Sequence, residues 1–202
     1  MFNKPRLLTP GPTPLPERVR LALAQDMIHH RKPGFKKILL ESETMLQKLF
    51  GTEQPVLPLS CSGTGAMTAA VHGLFLPGET VIVVNGGKFG ERWSKIAAVR
   101  GLKGVEIDVA WGQAVTPAQV EQALREHPEA KGVFMQVCET STAAQHPVEA
   151  IARLTRPREV PLVADGISAV GISPCPMAAW GIDCLLTGSQ NGPIVPTGLA
   201  LR

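Results

Sequence analysis

The sequence contains no tyrosine, and its phenylalanine and tryptophan residues bring the aromatic fraction to only 4%. So few aromatic side chains argue against a surface on which nucleic-acid bases would stack. The 20 lysine and arginine residues form no cluster and leave a formal net charge of only +3. The charge distribution therefore gives no electrostatic reason to expect a nucleic-acid partner.

Long apolar runs and cysteine motifs are missing as well. The longest runs, such as Val81–Val84, are far shorter than the roughly 18 residues of a membrane helix. Prolines also interrupt the first 16 residues, where a signal peptide would need an apolar core. The four cysteines contain no CxxC pair, which disfavours a disulfide framework or a metal site and favours reduced, mostly buried thiols. We therefore expect a soluble cytoplasmic protein with no metal and no membrane partner.

The 202 residues and their 44% hydrophobic content suffice for one large domain with a substantial core. Residues 1–16 contain five prolines and are predicted to form an extended arm before a domain spanning residues 17–202. Between Leu21 and Phe50, apolar residues recur every three or four positions. This spacing predicts the apolar stripe of two amphipathic helices and includes Met27.

Beyond Gly51 the pattern changes to short apolar runs that alternate with helical stretches. The predicted strands cover residues 56–60, 80–84, 105–109, 132–137, 160–164 and 183–187. The predicted helices cover residues 65–75, 89–100, 117–126 and 147–154. This alternation predicts an α/β fold: a three-layer, mainly parallel sheet with helices on both faces. Because such sheets bind ligands beyond the carboxyl ends of their strands, the residues that follow each strand are the candidate site.

The segment SCSGTGAM, Ser60–Met67, lies between the first predicted strand and a helix. Small residues let backbone N–H groups approach an anion, and the helix N-terminus adds partial positive charge. Hydroxyls of Ser62 and Thr64 add further donors. The segment therefore predicts a phosphate cradle, although a turn of this composition often serves only as a turn.

Asp165 follows the buried strand 160–164. A buried carboxylate requires a charged or hydrogen-bonding partner. It either caps neighbouring backbone amides or holds a cationic ring nitrogen of a cofactor.

Two further strand ends carry candidate ligand-binding residues. The segment CETSTA, Cys138–Ala143, is either a solvated loop or a set of hydroxyls that faces a ligand. In NGGKFGERW, Asn85–Trp93, Phe89 is either a core residue or a flat surface against which a cofactor ring stacks.

Together these motifs resemble the class V, fold-type I aminotransferases that use pyridoxal 5′-phosphate. Within that family the chain resembles the alanine–glyoxylate and serine–glyoxylate aminotransferases and the soluble hydrogenase small subunit. The resemblance begins at LLTPGPTPLP and continues through HHR, SCSGTGAM, GGKFGERW, CETSTA and ADGISAVG to WGIDCLLTGSQ. It covers nearly the whole chain, and the motifs in this order are highly specific.

The resemblance assigns roles to individual residues around the cofactor phosphate. It implies that Ser62, Gly63 and Thr64 bind the phosphate and that Gln190 lies beside it. It also places Gly11 at the border of the substrate pocket, although that assignment is looser.

The resemblance also assigns the residues around the pyridine ring. Phe89 would stack on the ring, and Thr140 would hydrogen-bond the ring hydroxyl. Asp165 would pair with the protonated ring nitrogen, which keeps the ring an effective electron sink.

Two departures from the family pattern limit what the resemblance implies. The family ends the last motif as GSQK, whose lysine forms the Schiff base with the cofactor, whereas this chain has GSQNG. Asn191 therefore occupies the Schiff-base lysine position, and an amide can neither form that bond nor shuttle the proton. The family also continues into a smaller C-terminal domain that carries a substrate-binding arginine, and we expect that domain to be absent here.

The leading functional hypothesis is a pyridoxal-phosphate-dependent transaminase. It would transfer an amino group from a small amino acid such as alanine or serine to glyoxylate or a similar 2-oxo acid, and the family resemblance implies a homodimer. The alternative is a catalytically degenerate or truncated protein of the same fold that binds the cofactor or a partner without turnover. A cysteine desulfurase is a weaker third hypothesis, because its reactive cysteine would lie on a downstream loop that this chain lacks.

Overall fold

A computed structural model describes residues 7–202 of the chain. The first six residues of the predicted N-terminal arm lie outside the described part. Residues 7–16 contain neither helix nor strand. Thr13 nevertheless attaches this segment to the rest of the chain, because its backbone N–H donates to the carbonyl of Gln190 at 3.0 Å.

Seven α-helices and one 3₁₀ turn lie among the described residues. The helices are α1 (Glu17–Leu23), α2 (Pro33–Phe50), α3 (Gly63–Leu74), α4 (Gly90–Arg100), α5 (Pro117–Glu126), α6 (Val148–Thr155) and α7 (Met177–Trp180), and the 3₁₀ turn spans Arg156–Arg158.

Nine strands form one large sheet and one small hairpin. The strands are β1 (Pro58–Leu59), β2 (Thr80–Asn85), β3 (Lys103–Asp108), β4 (Val133–Gln136), β5 (Cys138–Glu139), β6 (Ala144–Gln145), β7 (Leu162–Asp165), β8 (Cys184–Gly188) and β9 (Ala200–Leu201). The large sheet has the order β1-β9-β8-β7-β4-β2-β3, and β5 pairs with β6. Strands β8, β7, β4, β2 and β3 are parallel, whereas β9 is antiparallel to both β8 and β1.

Helices cover both faces of the sheet, which confirms the predicted three-layer α/β fold. On one face, Met135 of β4 belongs to a buried cluster with Ile151 of α6. On the other face, Phe134 belongs to a second cluster with Met67 of α3 and Trp93 of α4. The second face carries the two helices whose N-termini were predicted to border the site.

The predicted strands and helices from residue 56 onward each overlap an observed element, with ends that differ by at most two residues. The helix predicted over 117–126 is observed with those bounds. The pattern did not predict the hairpin β5–β6, the antiparallel β9 or the four-residue α7. These elements are too short to produce a recognisable hydrophobic period.

The two helices predicted before Gly51 are present, but most of their apolar stripe is not buried. Ile38, Leu39 and Met45 of α2 are about half exposed, while Phe50 at its end is fully buried. Met27, predicted as part of the stripe, lies in the loop between α1 and α2 and is fully exposed. None of the helices described in residues 7–202 combines the length and apolarity required to cross a membrane.

The start of α5 illustrates how local sequence fixes a helix end. Thr116 Oγ1 accepts a hydrogen bond from the Gln119 N–H at 3.3 Å, and Gln119 Oε1 accepts one from the Thr116 N–H at 2.9 Å. This is a capping box followed by a proline at the first helical position.

Thr116→Ala is expected to lower the free energy of unfolding by about 1 kcal/mol, because the substitution removes the capping hydroxyl. Urea unfolding measures the change. Thr116→Ser retains the hydroxyl and should remain close to wild type, so an equal loss in both variants would contradict this account.

Candidate functional site

The segment that follows β1 leads into α3, whose start is the predicted phosphate cradle. Ser62 is the N-cap, and its Oγ accepts a hydrogen bond from the Gly65 N–H at 3.3 Å. Gly63 is buried, and a Cβ there would collide with the side chain of Ile167. The first N–H groups of a helix have no partner within it. Since Ser62 takes the Gly65 N–H, those of Gly63 and Thr64 remain available to an anionic ligand, and they lie beside the turn that follows β7.

Phe89 lies immediately before α4 and is only partly buried. It belongs to neither of the two buried clusters, so the interpretation of Phe89 as a core residue is not supported. The guanidinium of Arg92 lies over the Phe89 ring, 4.7 Å from its centroid. Arg92 Nη1 also donates to Thr64 Oγ1 at 2.9 Å. Arg92 thus links the aromatic ring to the start of α3, a role that the sequence patterns did not reveal.

Glu139 is a second residue that the sequence reasoning missed. Its side chain is fully buried, and its carboxylate accepts hydrogen bonds from the backbone N–H groups of Phe89, Gly90 and Ser141. The Ser141 hydroxyl also donates to it at 2.6 Å. Gly87 permits this approach, because a Cβ there would lie 2.7 Å from the Glu139 carboxyl carbon. Glu139 therefore connects the CETSTA segment to the loop that carries Phe89.

Glu139→Ala is expected to lower the free energy of unfolding by about 3 kcal/mol, because it leaves several buried donors without an acceptor. Chemical denaturation measures the loss. Glu126 on α5 is exposed and supplies the control, since Glu126→Ala should change stability by less than about 0.5 kcal/mol. A loss below about 1 kcal/mol in Glu139→Ala would show that water replaces these hydrogen bonds.

Asp165 ends β7 and is 4% exposed. Its Oδ1 accepts a hydrogen bond from the Ile167 N–H at 2.8 Å, so the capping interpretation holds for one backbone amide. Burial raises the pKa of Asp165 from its ordinary value of 3.8 to about 6. The Ile167 hydrogen bond opposes this rise, the charge of Glu139 adds to it, and the charge of Arg92 opposes it. A nearby cation would therefore stabilise the ionised carboxylate strongly.

A chain of polar side chains connects the CETSTA segment to Asn191. The hydroxyls of Thr140 and Ser168 lie 2.6 Å apart, and Asn191 Nδ2 lies 3.5 Å from Ser168 Oγ. Asn191 is 5% exposed. Gly11 lies directly against it, because a Cβ on Gly11 would come within 2.5 Å of Asn191 Oδ1.

Gln190 is less closely connected to the predicted phosphate cradle. Its side chain folds towards Gly188, where a Cβ would lie 3.0 Å from Gln190 Oε1. Its backbone carbonyl accepts from Thr13. In the part of the chain that the structure describes, no hydrogen bond joins Gln190 to residues 62–64. The role predicted for Gln190 beside a phosphate stays a prediction.

The arrangement brings three different binding chemistries to one end of the sheet. The start of α3 suits an anion, the half-buried Phe89 suits a flat ring, and the buried Asp165 suits a cation. Contacts between Gly63 and Ile167, between Thr64 and Arg92, and between Phe89 and Glu139 join these three parts. The site therefore suits a ligand that carries an anionic group, an aromatic ring and a protonated nitrogen.

Comparisons with known proteins identify relatives of this chain. The small subunit of a soluble hydrogenase from Synechococcus sp. strain PCC 6716 is 36% identical over 203 residues, which cover 99% of this chain and 53% of that protein. Serine–glyoxylate aminotransferase from Hyphomicrobium methylovorum is 34% identical, with 100% and 51% covered. The crystal structure of alanine–glyoxylate aminotransferase from Nostoc sp. superimposes with a TM-score of 0.93 at 28% identity, covering 100% of this chain and 54% of that one.

The chain spans about half the length of the curated relatives that it matches. The family model described as aminotransferase class-V matches residues 11–201, which include every residue singled out above. This match extends from Gly11, beside Asn191, through the start of α3 to β9. The chain belongs to the class V aminotransferase family.

Proposed function

We propose that this chain forms the cofactor-binding part of a pyridoxal-phosphate-dependent transaminase. The observation that carries the proposal is the buried carboxyl of Asp165, at the same end of the sheet as the start of α3 and the partly buried Phe89. These residues fit the three parts of the cofactor, because they offer donors for a phosphate, a surface for the ring and an anion for the ring nitrogen. Ser62, Gly63 and Thr64 would hold the phosphate.

Bound pyridoxal phosphate supplies a protonated ring that accepts the electron pair released at the α-carbon of an amino acid. Asp165 would hold the protonated ring nitrogen, and the Thr140 hydroxyl would donate to the ring oxygen. Phe89 would supply a flat surface for the ring and exclude water from it. The hydrogen bonds from Phe89 and Gly90 to Glu139 fix the loop in which Phe89 lies.

The substrate class rests on the relatives and not on a pocket of this chain. Two similar proteins are named for glyoxylate as the amino acceptor, with serine or alanine as the donor. We therefore propose a small amino acid as donor and glyoxylate or a similar 2-oxo acid as acceptor.

Asn191 favours a second candidate function, which is cofactor binding without turnover. A neutral amide cannot attach the cofactor covalently or accept the proton from the substrate α-carbon. Lys88 and Lys95 are the lysines closest in sequence to Phe89. Both form ion pairs with Glu91, and their side chains are 61% and 77% exposed. With Asn191 in place, we expect transamination many orders of magnitude slower than that of a lysine-containing site.

An absorbance titration with pyridoxal phosphate, followed by borohydride reduction and peptide mapping, tests the proposal. Saturable binding without an adduct supports a cofactor site that lacks covalent attachment, whereas a lysine adduct supports a competent transaminase. Absence of binding at millimolar cofactor would refute both forms of the proposal.

Self-association is a further part of the proposal. The exposed apolar face of α2 borders a groove of about 900 Å³ between that helix and the β1–β9 edge, and Leu39, Leu46, Leu57 and Leu199 are among its lining residues. An exposed apolar surface of this kind favours burial against another surface. We propose a homodimer, and sedimentation velocity at several protein concentrations tests it, because a monomer at all concentrations would contradict it.

A further inference from the structure

Gln136 is a buried amide without hydrogen-bond partners. It ends β4 and is 1% exposed. Neither its Nε2 nor its Oε1 has a partner among residues 7–202. Buried polar groups are paired in most native proteins, and an unpaired one calls for an explanation such as a missing ligand or a functional state. Among the described side chains, Gln136 is the one with two buried polar atoms that lack partners.

Gln136 is the lateral neighbour of Asp165. The two residues pair in register between the parallel strands β4 and β7. Phe134 and Val163, two positions earlier on each strand, belong to the cluster beneath α3 and α4. Because side chains alternate along a strand, Gln136 and Asp165 face this same side. The orphaned amide therefore lies next to the carboxyl that is proposed to hold the ring nitrogen.

We propose that Gln136 is a positioning residue whose amide donates a hydrogen bond to the Asp165 carboxylate once that carboxyl is ionised, and so orients it to hold a cationic ring nitrogen. This inference rests on the proposed function. Ile167 already binds Oδ1 of Asp165, and among the described residues this is the one hydrogen bond that its carboxyl makes. A donor from Gln136 would stabilise the ionised form and restrict rotation of the carboxylate plane.

The surroundings of Asp165 explain why a neutral donor is useful there. Its burial disfavours ionisation, as does the negative charge of Glu139 on β5. Arg92 on α4 favours ionisation from a distance, and the Cys138 thiol also lies within electrostatic reach. A neutral amide can stabilise a carboxylate without adding a charge that would compete with the ring nitrogen.

The test uses the full chain and 4-deoxypyridoxine 5′-phosphate, a cofactor analogue that lacks the aldehyde and therefore binds reversibly. Its dissociation constant is measured from pH 5 to pH 9 for wild type, Gln136→Leu and the control Gln145→Leu. Gln145 also ends a strand but is exposed. We expect Gln136→Leu to weaken binding about tenfold at pH 8 and to raise the pH midpoint of binding by about one unit. Gln145→Leu should match wild type.

A second measurement separates this inference from the proposed function. The Asp165 carboxyl is titrated by carbon-13 NMR in the ligand-free protein, and we expect Gln136→Leu to raise its midpoint while the melting temperature stays equal or increases. If the amide of Gln136 is purely structural, Gln136→Leu would instead lower the melting temperature. It would leave unchanged both the pH midpoint of analogue binding and the titration midpoint of Asp165, and this result would overturn the inference. Analogue binding with unaltered affinity in Gln136→Leu would also overturn it, with the proposed function intact. If wild type does not bind the analogue but Gln136→Leu still shifts the Asp165 midpoint, the Gln136–Asp165 pair is retained and the proposed function is rejected.

Discussion

Asn191→Lys is expected to convert reversible cofactor binding into covalent attachment at residue 191. The side chain of residue 191 is buried between Gly11 and Ser168. Burial lowers the pKa of a lysine amine, so a larger neutral fraction can attack the cofactor aldehyde. The amine nitrogen bonds to the aldehyde carbon and the aldehyde oxygen leaves as water. Borohydride reduction and peptide mapping should then find an adduct at position 191 in most molecules, against none at that position in wild type.

Asn191→Gln provides the matched control, because it lengthens the side chain without adding an amine. It should yield no adduct while still binding the cofactor. Labelling of Asn191→Lys at Lys88 or Lys95 as in wild type, with no adduct at position 191, would contradict the prediction. Those amines lie 3.1 and 3.5 Å from Glu91 and are mostly exposed, so they should react slowly and without saturation.

Asp165→Asn is expected to affect binding and stability in opposite directions. Binding should weaken roughly 100-fold or more, because the cationic ring nitrogen would lose its buried anionic partner. The ligand-free protein should become more stable at pH 8, because asparagine removes a buried charge and its Oδ1 can still accept from the Ile167 N–H. Calorimetric titration and urea unfolding measure the two effects.

The stability gain from Asp165→Asn depends on pH in a defined direction. Burial raises the pKa of Asp165 from 3.8 to about 6, so between these values the folded protein binds more protons than the unfolded chain. The free energy of unfolding of wild type therefore falls as pH rises through this interval and levels off above it. The gain should be about 3 kcal/mol at pH 8 and vanish below pH 4. Asp108 ends the edge strand β3 and is exposed, so Asp108→Asn serves as the control variant.

The sequence predicted the parallel α/β frame because buried strands and capped helices leave local patterns. Near-continuous apolar runs marked β2, β4 and β7, and Thr116 with Pro117 marked the start of α5. The rule that ligands bind beyond strand ends then directed attention to Asp165 and to the start of α3. These features depend on residues close together in the chain.

The residues that sequence reasoning missed depend on contacts between distant segments. Glu139 is buried because the loop at residues 86–90 folds over it. Gln136 becomes a candidate only because it pairs in register with Asp165 on the neighbouring strand. Hydrophobic pattern alone assigns both residues to the end of a strand. For α2 the sequence predicted the helix correctly from its apolar period, but most side chains of the predicted apolar stripe are exposed and not buried.

The pairing of β1 with β9 also constrains the order in which this chain can fold during synthesis. Leu59 pairs with Ala200, and Pro58 with Leu201, so β1 has no place in the sheet until the residues of β9 have emerged from the ribosome. The start of α3 follows β1 by only a few residues. Contacts between such distant segments close a long loop and form slowly. On a translating ribosome, the central strands can pair early, whereas the start of α3 would reach its final position among the last parts of the fold.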